Sequence, residues 1–81
     1  MKLTNAIGGT IRELRQERCM NLRSLSEKAH VSLGHLSDVE RGAKQASNEL
    51  LESIAIGLDL SPADLIKEVY DYLKEVEDWA K

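Results

Sequence analysis

His30 and His35 lie five residues apart, with Asp38 and Glu40 just beyond, and these are residue types that ligate divalent metals. A metal site needs side chains that converge on one point. Two short helices joined by a turn do not supply that convergence, so no metal is expected. Serine, histidine and aspartate all occur, but nothing in their spacing suggests a catalytic triad. Gly8-Gly9 is not a phosphate loop, because neither a strand nor a lysine motif accompanies it. Cys19 is the single cysteine, which excludes an internal disulfide and a cysteine zinc cluster. Its place between two helices predicts a small buried apolar residue rather than a redox sensor. At 81 residues the core is small and leaves little room for a cleft with a lid. Neither enzymatic chemistry nor a cofactor is expected. What remains is charge and hydrogen bonding on a surface.

That charge is unevenly spread. Lys and Arg number 11 and Asp and Glu number 14, for a net charge of −3. Residues 1–46 carry eight positive charges against five negative, whereas residues 47–81 carry three against nine. Binding depends on the charge presented at a contact, not on the sum, so the acidic average does not exclude an anionic partner. The alternative is that both halves are ordinary solvated faces.

The elements that must position these groups read as short helices. Ile7, Ile11 and Leu14 recur on one face of a first helix running to about Arg18, with Thr4 or Asn5 as its cap. Asn21 precedes Leu22, Leu25 and Ala29 as the N-cap of a second helix. His30-Val31 interrupts it, and Ser32 caps a third helix carrying Leu33, Leu36 and Val39. Arg41-Gly42 ends that helix, the glycine supplying a left-handed stop. Ser47 caps a fourth helix with Leu50, Ile54 and Leu58 inward. Ser61-Pro62-Ala63-Asp64 is a strong start for a fifth, with serine at the cap and proline at the first helical position. No segment alternates apolar and polar residues for long, so the chain reads as all-α.

Asn21 to Gly42 carries the functional signal. Two short helices are joined by a turn of about three residues. Ala29 is small where helices must approach, and Val31 is apolar inside the turn. This is the spacing of a DNA-binding helix-turn-helix; the alternative is a generic helical hairpin, which rarely carries cap, turn and stop together.

The runs Leu25-Ser26-Glu27-Lys28-Ala29-His30-Val31-Ser32 and Leu36-Ser37-Asp38-Val39-Glu40-Arg41-Gly42 resemble the Cro/repressor-type (XRE) helix-turn-helix domains of bacteria and phages. Ser47, Leu51, Ile54-Ala55, Leu58, Leu60-Ser61 and Asp64-Leu65 extend the likeness over about Ile7 to Ile66. The stretch from Leu33 to Gly42, with Ala46-Ser47-Asn48-Glu49-Leu50-Leu51, is similar to the actinobacterial subgroup that activates Clp protease genes. The resemblance implies a five-helix lambda-repressor-like domain over residues 1–66, with residues 67–81 as an extension of the last helix.

It also implies a mechanism. The third helix would enter the major groove of double-stranded DNA. Leu33, Gly34, Ser37 and Asp38 would then face base edges. Leu33 offers apolar contact to a thymine methyl, Gly34 permits close approach, and Ser37 donates or accepts. Asp38 accepts from a cytosine amino group or, alternatively, pairs with Arg41 or His35. Phosphate contacts would come from Arg23, Ser32, His35, Arg41, Lys44 and Asn48. Arg41 has the alternative of a structural bond near Glu40. Many relatives have glutamine where this chain has Leu22, which makes Arg23 the substitute anchor. Many have glycine at position 30, where a histidine at positive φ bears a modest steric cost.

The fifth helix carries apolar residues at 66, 69, 73, 76 and 80, the spacing of an a/d seam. Leu65 and Ile66 suffice to close the domain core, leaving the stripe for a symmetric partner. Ile66, Val69, Tyr70, Leu73, Val76, Trp79 and Ala80 are the candidate dimer interface, with Tyr72 beside them. The alternative is a helix folded back on a monomer.

The reading is thus a cytoplasmic, homodimeric, sequence-specific regulator on an inverted-repeat operator. The closer resemblance favours activation, with RNA polymerase as the protein contacted. The competing reading is a protein-interaction module such as an antitoxin. No apolar run approaches the ~20 residues of a membrane span, and Met1 to Asn5 begins no signal-peptide core. No ligand-sensing segment is evident, so a small-molecule ligand is not expected.

Overall fold

Each connection between helices in this chain is made from a stop and a cap. The computed structural model describes residues 2–79 and forms five helices among them: α1 (Leu3–Glu17), α2 (Leu22–Ala29), α3 (Leu33–Glu40), α4 (Asn48–Gly57) and α5 (Pro62–Trp79). No strand forms among the described residues.

The caps are where the side chains dictate. Asn21 Oδ1 accepts from the Ser24 N–H at 2.7 Å, and Ser32 Oγ from the His35 N–H at 3.2 Å. Ser47 Oγ accepts from the Leu50 N–H and Ser61 Oγ from the Asp64 N–H, each at 3.1 Å. Each such bond stabilises its helix by about 1 kcal/mol. The start of α1 departs from expectation. Neither Thr4 nor Asn5 caps it; Lys2 occupies the N-cap position without a side-chain bond, and the Ala6 N–H reaches the Lys2 carbonyl at 3.1 Å. Nothing in Leu3-Thr4-Asn5 breaks a helix, so α1 extends back by one more turn.

The stops share one geometry. Cys19, His30, Gly42 and Asp59 all sit in the left-handed region, with φ of 55°, 57°, 72° and 60°. After each, the next N–H reaches back across the turn: Met20 to the Arg15 carbonyl, Val31 to Ser26, Ala43 to Asp38 and Leu60 to Ala55. These are Schellman closures, which satisfy carbonyls left open at a helix end. The expectation of a buried Cys19 is corrected by this geometry. The left-handed turn puts Cys19 outside the helix, and it is exposed.

The core is drawn from all five helices. Ile11, Leu25, Leu36, Ile54 and Leu58 are fully buried, and Leu65 nearly so. Each such side chain contributes roughly 1.5–3 kcal/mol of burial. Two adjacent glycines let α1 lie close to two neighbours. A Cβ on Gly8 would collide with the carbonyl oxygens of Val39 and Glu40 on α3. A Cβ on Gly9 would meet the hydroxyl and ring of Tyr72 on α5. The small Ala29 does its work against α4, where Gly57 lies beside it.

The closing of the core by α5 also differs from expectation. Leu65 and Val69 seal it, while Ile66 is 55% exposed. The reason is helical phase: residues 65, 69 and 72 follow one face, toward α1, and 66 and 70 follow another. The seam expected at 66, 69, 73, 76 and 80 is therefore not one free stripe. Val69 is covered by its own chain, Tyr72 is seated at Gly9, Leu73 and Val76 are half-buried, and Tyr70 and Trp79 are exposed. Ala80 lies outside the described residues.

Candidate nucleic-acid interface

Eight residues of α3 divide cleanly between an anchored face and an open one. Leu36 and Val39 are buried and fix the helix to the core. Its C-terminal end is fastened to α1 by Glu40. The Arg15 Nε donates to Glu40 Oε2 at 2.8 Å and Nη2 donates to Oε1 at 2.9 Å, a bidentate pair. Arg15 Nη1 also donates to the Met20 carbonyl at 2.8 Å, where α1 ends. Hydrogen bonds to Glu40 raise the Arg15 pKa above its ordinary value; burial opposes this, and the Glu40 charge adds to it. The guanidinium stays charged at any working pH.

The other face of α3 is left to solvent. Gly34 is exposed, and a Cβ there would meet nothing within 4 Å. His35 is exposed, and Leu33, Ser37 and Asp38 are half-buried. Gly34, Asp38 and Arg41 follow at i, i+4 and i+7, one stripe along the helix. Asp38 is the centre of an ion cluster. Arg41 Nη2 donates to its Oδ1, and Lys44 Nζ lies 3.4 Å from its Oδ2. The carboxylate is 26% exposed, against 63% and 62% for the two cations. Of the two pairings open to Asp38 within the chain, the one with Arg41 forms, and Lys44 joins it. Arg41 bonds Asp38 rather than the turn at Glu40, whose carboxylate belongs to Arg15.

The expected phosphate-binding residues are dispersed around this stripe. The His35 backbone N–H donates to Ser32 Oγ in the cap, and both residues are exposed. Arg23 is exposed on the second residue of α2 and makes no ion pair among the described residues. Asn48 is the exposed first residue of α4 and lines the same groove as Lys44. Two contacts not foreseen from the sequence hold α3 in place: the Arg15–Glu40 pair, and the close approach of Gly8 to the Val39 and Glu40 carbonyls. The available signal was slight, a glycine pair inside a helical pattern and an arginine on its inner flank. Among the described residues no group of His, Cys, Asp or Glu is arranged to hold a metal, and no helix is long and apolar enough to cross a membrane.

A helix-turn-helix family model matches residues 11–65. The transcriptional regulator ClgR of Mycobacterium tuberculosis is 44% identical over 54 residues, which cover 67% of this chain and 48% of that protein. The HTH-type transcriptional regulator DdrOP3 of Deinococcus deserti is 40% identical over 62 residues, 76% of this chain and 48% of its own length. The chain thus spans about half the length of these relatives. Among solved structures, the clp gene regulator ClgR from Corynebacterium glutamicum is 37% identical with a TM-score of 0.83, covering 99% of this chain and 88% of that one. The restriction-modification controller protein C.Esp1396I shares the fold at 21% identity, with a TM-score of 0.85 over 93% of this chain and 97% of its own. The relatives are regulators by name rather than enzymes. The chain belongs to the helix-turn-helix family of the Cro/repressor type, and within it is similar to the ClgR regulators.

Proposed function

We propose that this chain is the DNA-binding part of a transcription activator that recognises an inverted-repeat operator as a homodimer. The observation that carries the reading is the outer face of α3. It is rigidly fastened from behind, contacts nothing of its own fold at Gly34, and is flanked by Arg41 and Lys44. In this reading Leu33, Gly34, Ser37 and Asp38 meet base edges, and Arg23, Ser32, His35, Arg41, Lys44 and Asn48 meet phosphates.

In this reading residues 1–66 carry the reading domain and 67–81 extend its last helix, with Val69 and Tyr72 packed on the domain and the open side of the helix left for a partner. Pairing is supported by a groove of about 410 Å³ whose apolar lining includes Leu3, Ile7, Leu51 and Ile66, with Leu3 and Ile66 more than half exposed and Lys44 and Asn48 also on its wall. Two copies joined there and along the open side of α5 would set their α3 helices roughly 34 Å apart, one turn of DNA. The exposed carboxylates Asp71, Glu75, Glu77 and Asp78 face away from a phosphate surface in this arrangement. They offer RNA polymerase a contact, in the cytoplasm where its DNA lies.

Selection of bound duplexes from random DNA tests the reading. An enriched inverted repeat with half-sites about one helical turn apart is the expected result. A pool that never departs from random would overturn it.

A further inference from the structure

We propose that Asp38 gates the protein's own phosphate-binding cations, so that reading the correct base releases them. The inference rests on the DNA-binding reading above and goes beyond it by coupling two classes of contact. Its basis is the ion cluster at the centre of the open face: one carboxylate facing both Arg41 and Lys44.

A carboxylate on a surface that must approach a polyanion is unfavourable unless a donor meets it. In the free protein its donors are the two cations. Asp38 is the better anchored of the three, and the cations are long, exposed side chains that can swing. On DNA the groove offers Asp38 another donor only where an exocyclic amino group is presented, on cytosine or adenine. There the carboxylate accepts from the base, and Arg41 and Lys44 turn outward to phosphates. Opposite guanine O6 or thymine O4 the groove presents acceptors, which repel the carboxylate. Asp38 then keeps its cations, and the complex forms with fewer phosphates neutralised. A wrong base thus removes one base contact and withholds two backbone contacts. The same pairing lowers the positive charge that the face shows to DNA of arbitrary sequence, which suits a chain that must ignore most of it.

The test compares the full chain with Asp38→Asn on two duplexes, one of arbitrary mixed sequence and one recovered by the selection above. Binding is followed by fluorescence anisotropy between about 50 and 200 mM salt. Asparagine keeps the shape and removes the charge. The variant is expected to bind the mixed duplex about tenfold more tightly, with a salt slope steeper by about 1 to 2, each freed cation adding roughly 0.9. Affinity for the selected duplex should not rise in step, so discrimination falls. In a background of Arg41→Gln with Lys44→Gln, the same substitution should leave the mixed-duplex slope unchanged.

If Asp38→Asn weakens only the selected duplex and leaves the mixed-duplex slope alone, Asp38 is a plain base reader and the gate is wrong. If it weakens both duplexes equally, the cluster merely supports the fold and the gate is equally wrong. Asp38→Glu guards against a folding artefact. It keeps the charge and should retain the low mixed-duplex affinity, and a Glu variant that behaves like Asn overturns the coupling. Should the unaltered chain enrich no sequence and bind neither duplex in a salt-dependent way, the regulator reading itself fails and takes the gate with it.

Discussion

Arg15 on α1 and Glu40 on α3 meet through two parallel hydrogen bonds across 25 residues of sequence. Their side chains are 13% and 6% exposed, so the pair is mostly withdrawn from water. Removing one member leaves the other charged and poorly solvated. Arg15→Ala is expected to destabilise the fold by about 2–3 kcal/mol, and Arg15→Met with Glu40→Leu to recover most of that. Urea unfolding of the single and double variants measures it. A single-variant loss below about 0.5 kcal/mol would show that the contact does not fasten α3.

Two glycines separate stability from recognition. Gly8→Ala forces a methyl into the Val39 and Glu40 carbonyls and should cost more than about 2 kcal/mol. Gly34→Ala enters open space and should stabilise α3 by up to about 1 kcal/mol. The same methyl stands where a base edge would approach, so the more stable variant should bind the selected operator more weakly. Thermal unfolding and anisotropy on one protein sample check both halves.

His30 occupies a left-handed stop at φ 57° without being glycine. His30→Gly removes a steric penalty while making the unfolded chain more flexible. The balance is expected to favour the variant by about 0.5 kcal/mol, a rise of a few degrees in Tm. A lower Tm would mean that the histidine ring makes a contact outweighing its backbone cost.

Arg41→Ala with Lys44→Ala should lower affinity for the selected duplex and make its salt slope shallower by about 2, since each phosphate contact contributes roughly 0.9. A slope unchanged by the double substitution would remove both residues from the phosphate set.

Neighbouring positions on α5 should respond differently to a charge. Ile66→Glu alters a residue 55% exposed and should dissociate a dimer while the monomer stays folded. Val69→Glu puts a carboxylate at a site 6% exposed and should unfold the chain. Sedimentation and circular dichroism distinguish the two. Unaltered assembly of the Ile66 variant would place the interface elsewhere.

Local chemistry was the legible part of this fold. The caps at Asn21, Ser32, Ser47 and Ser61 act over three residues, so the sequence displays donor and acceptor together. Gly42 announced its stop because only glycine takes a left-handed turn freely. Cys19 and Asp59 did not, since their turns are imposed by the apolar residue that follows. Met20, Val31 and Leu60 pack against the core and pull the chain round. Arg15 and Glu40 were illegible as partners, because nothing in one helix names its contact on another. The α5 pattern gave the right periodicity but not which side the domain itself would cover. Asp38 was open to two readings in the sequence, and in the free chain it pairs with Arg41 and Lys44.

Gly8 and Gly9 are consecutive, yet each seats a different helix, α3 on one side and Tyr72 of α5 on the other. The two footings share one mounting, with less than a turn of backbone between them. Twin molecules clasped through α5 would hold their reading edges like calipers with the screw locked. Adding or deleting a single base pair between half-operators would then meet no slack, and the whole strain would fall on the DNA.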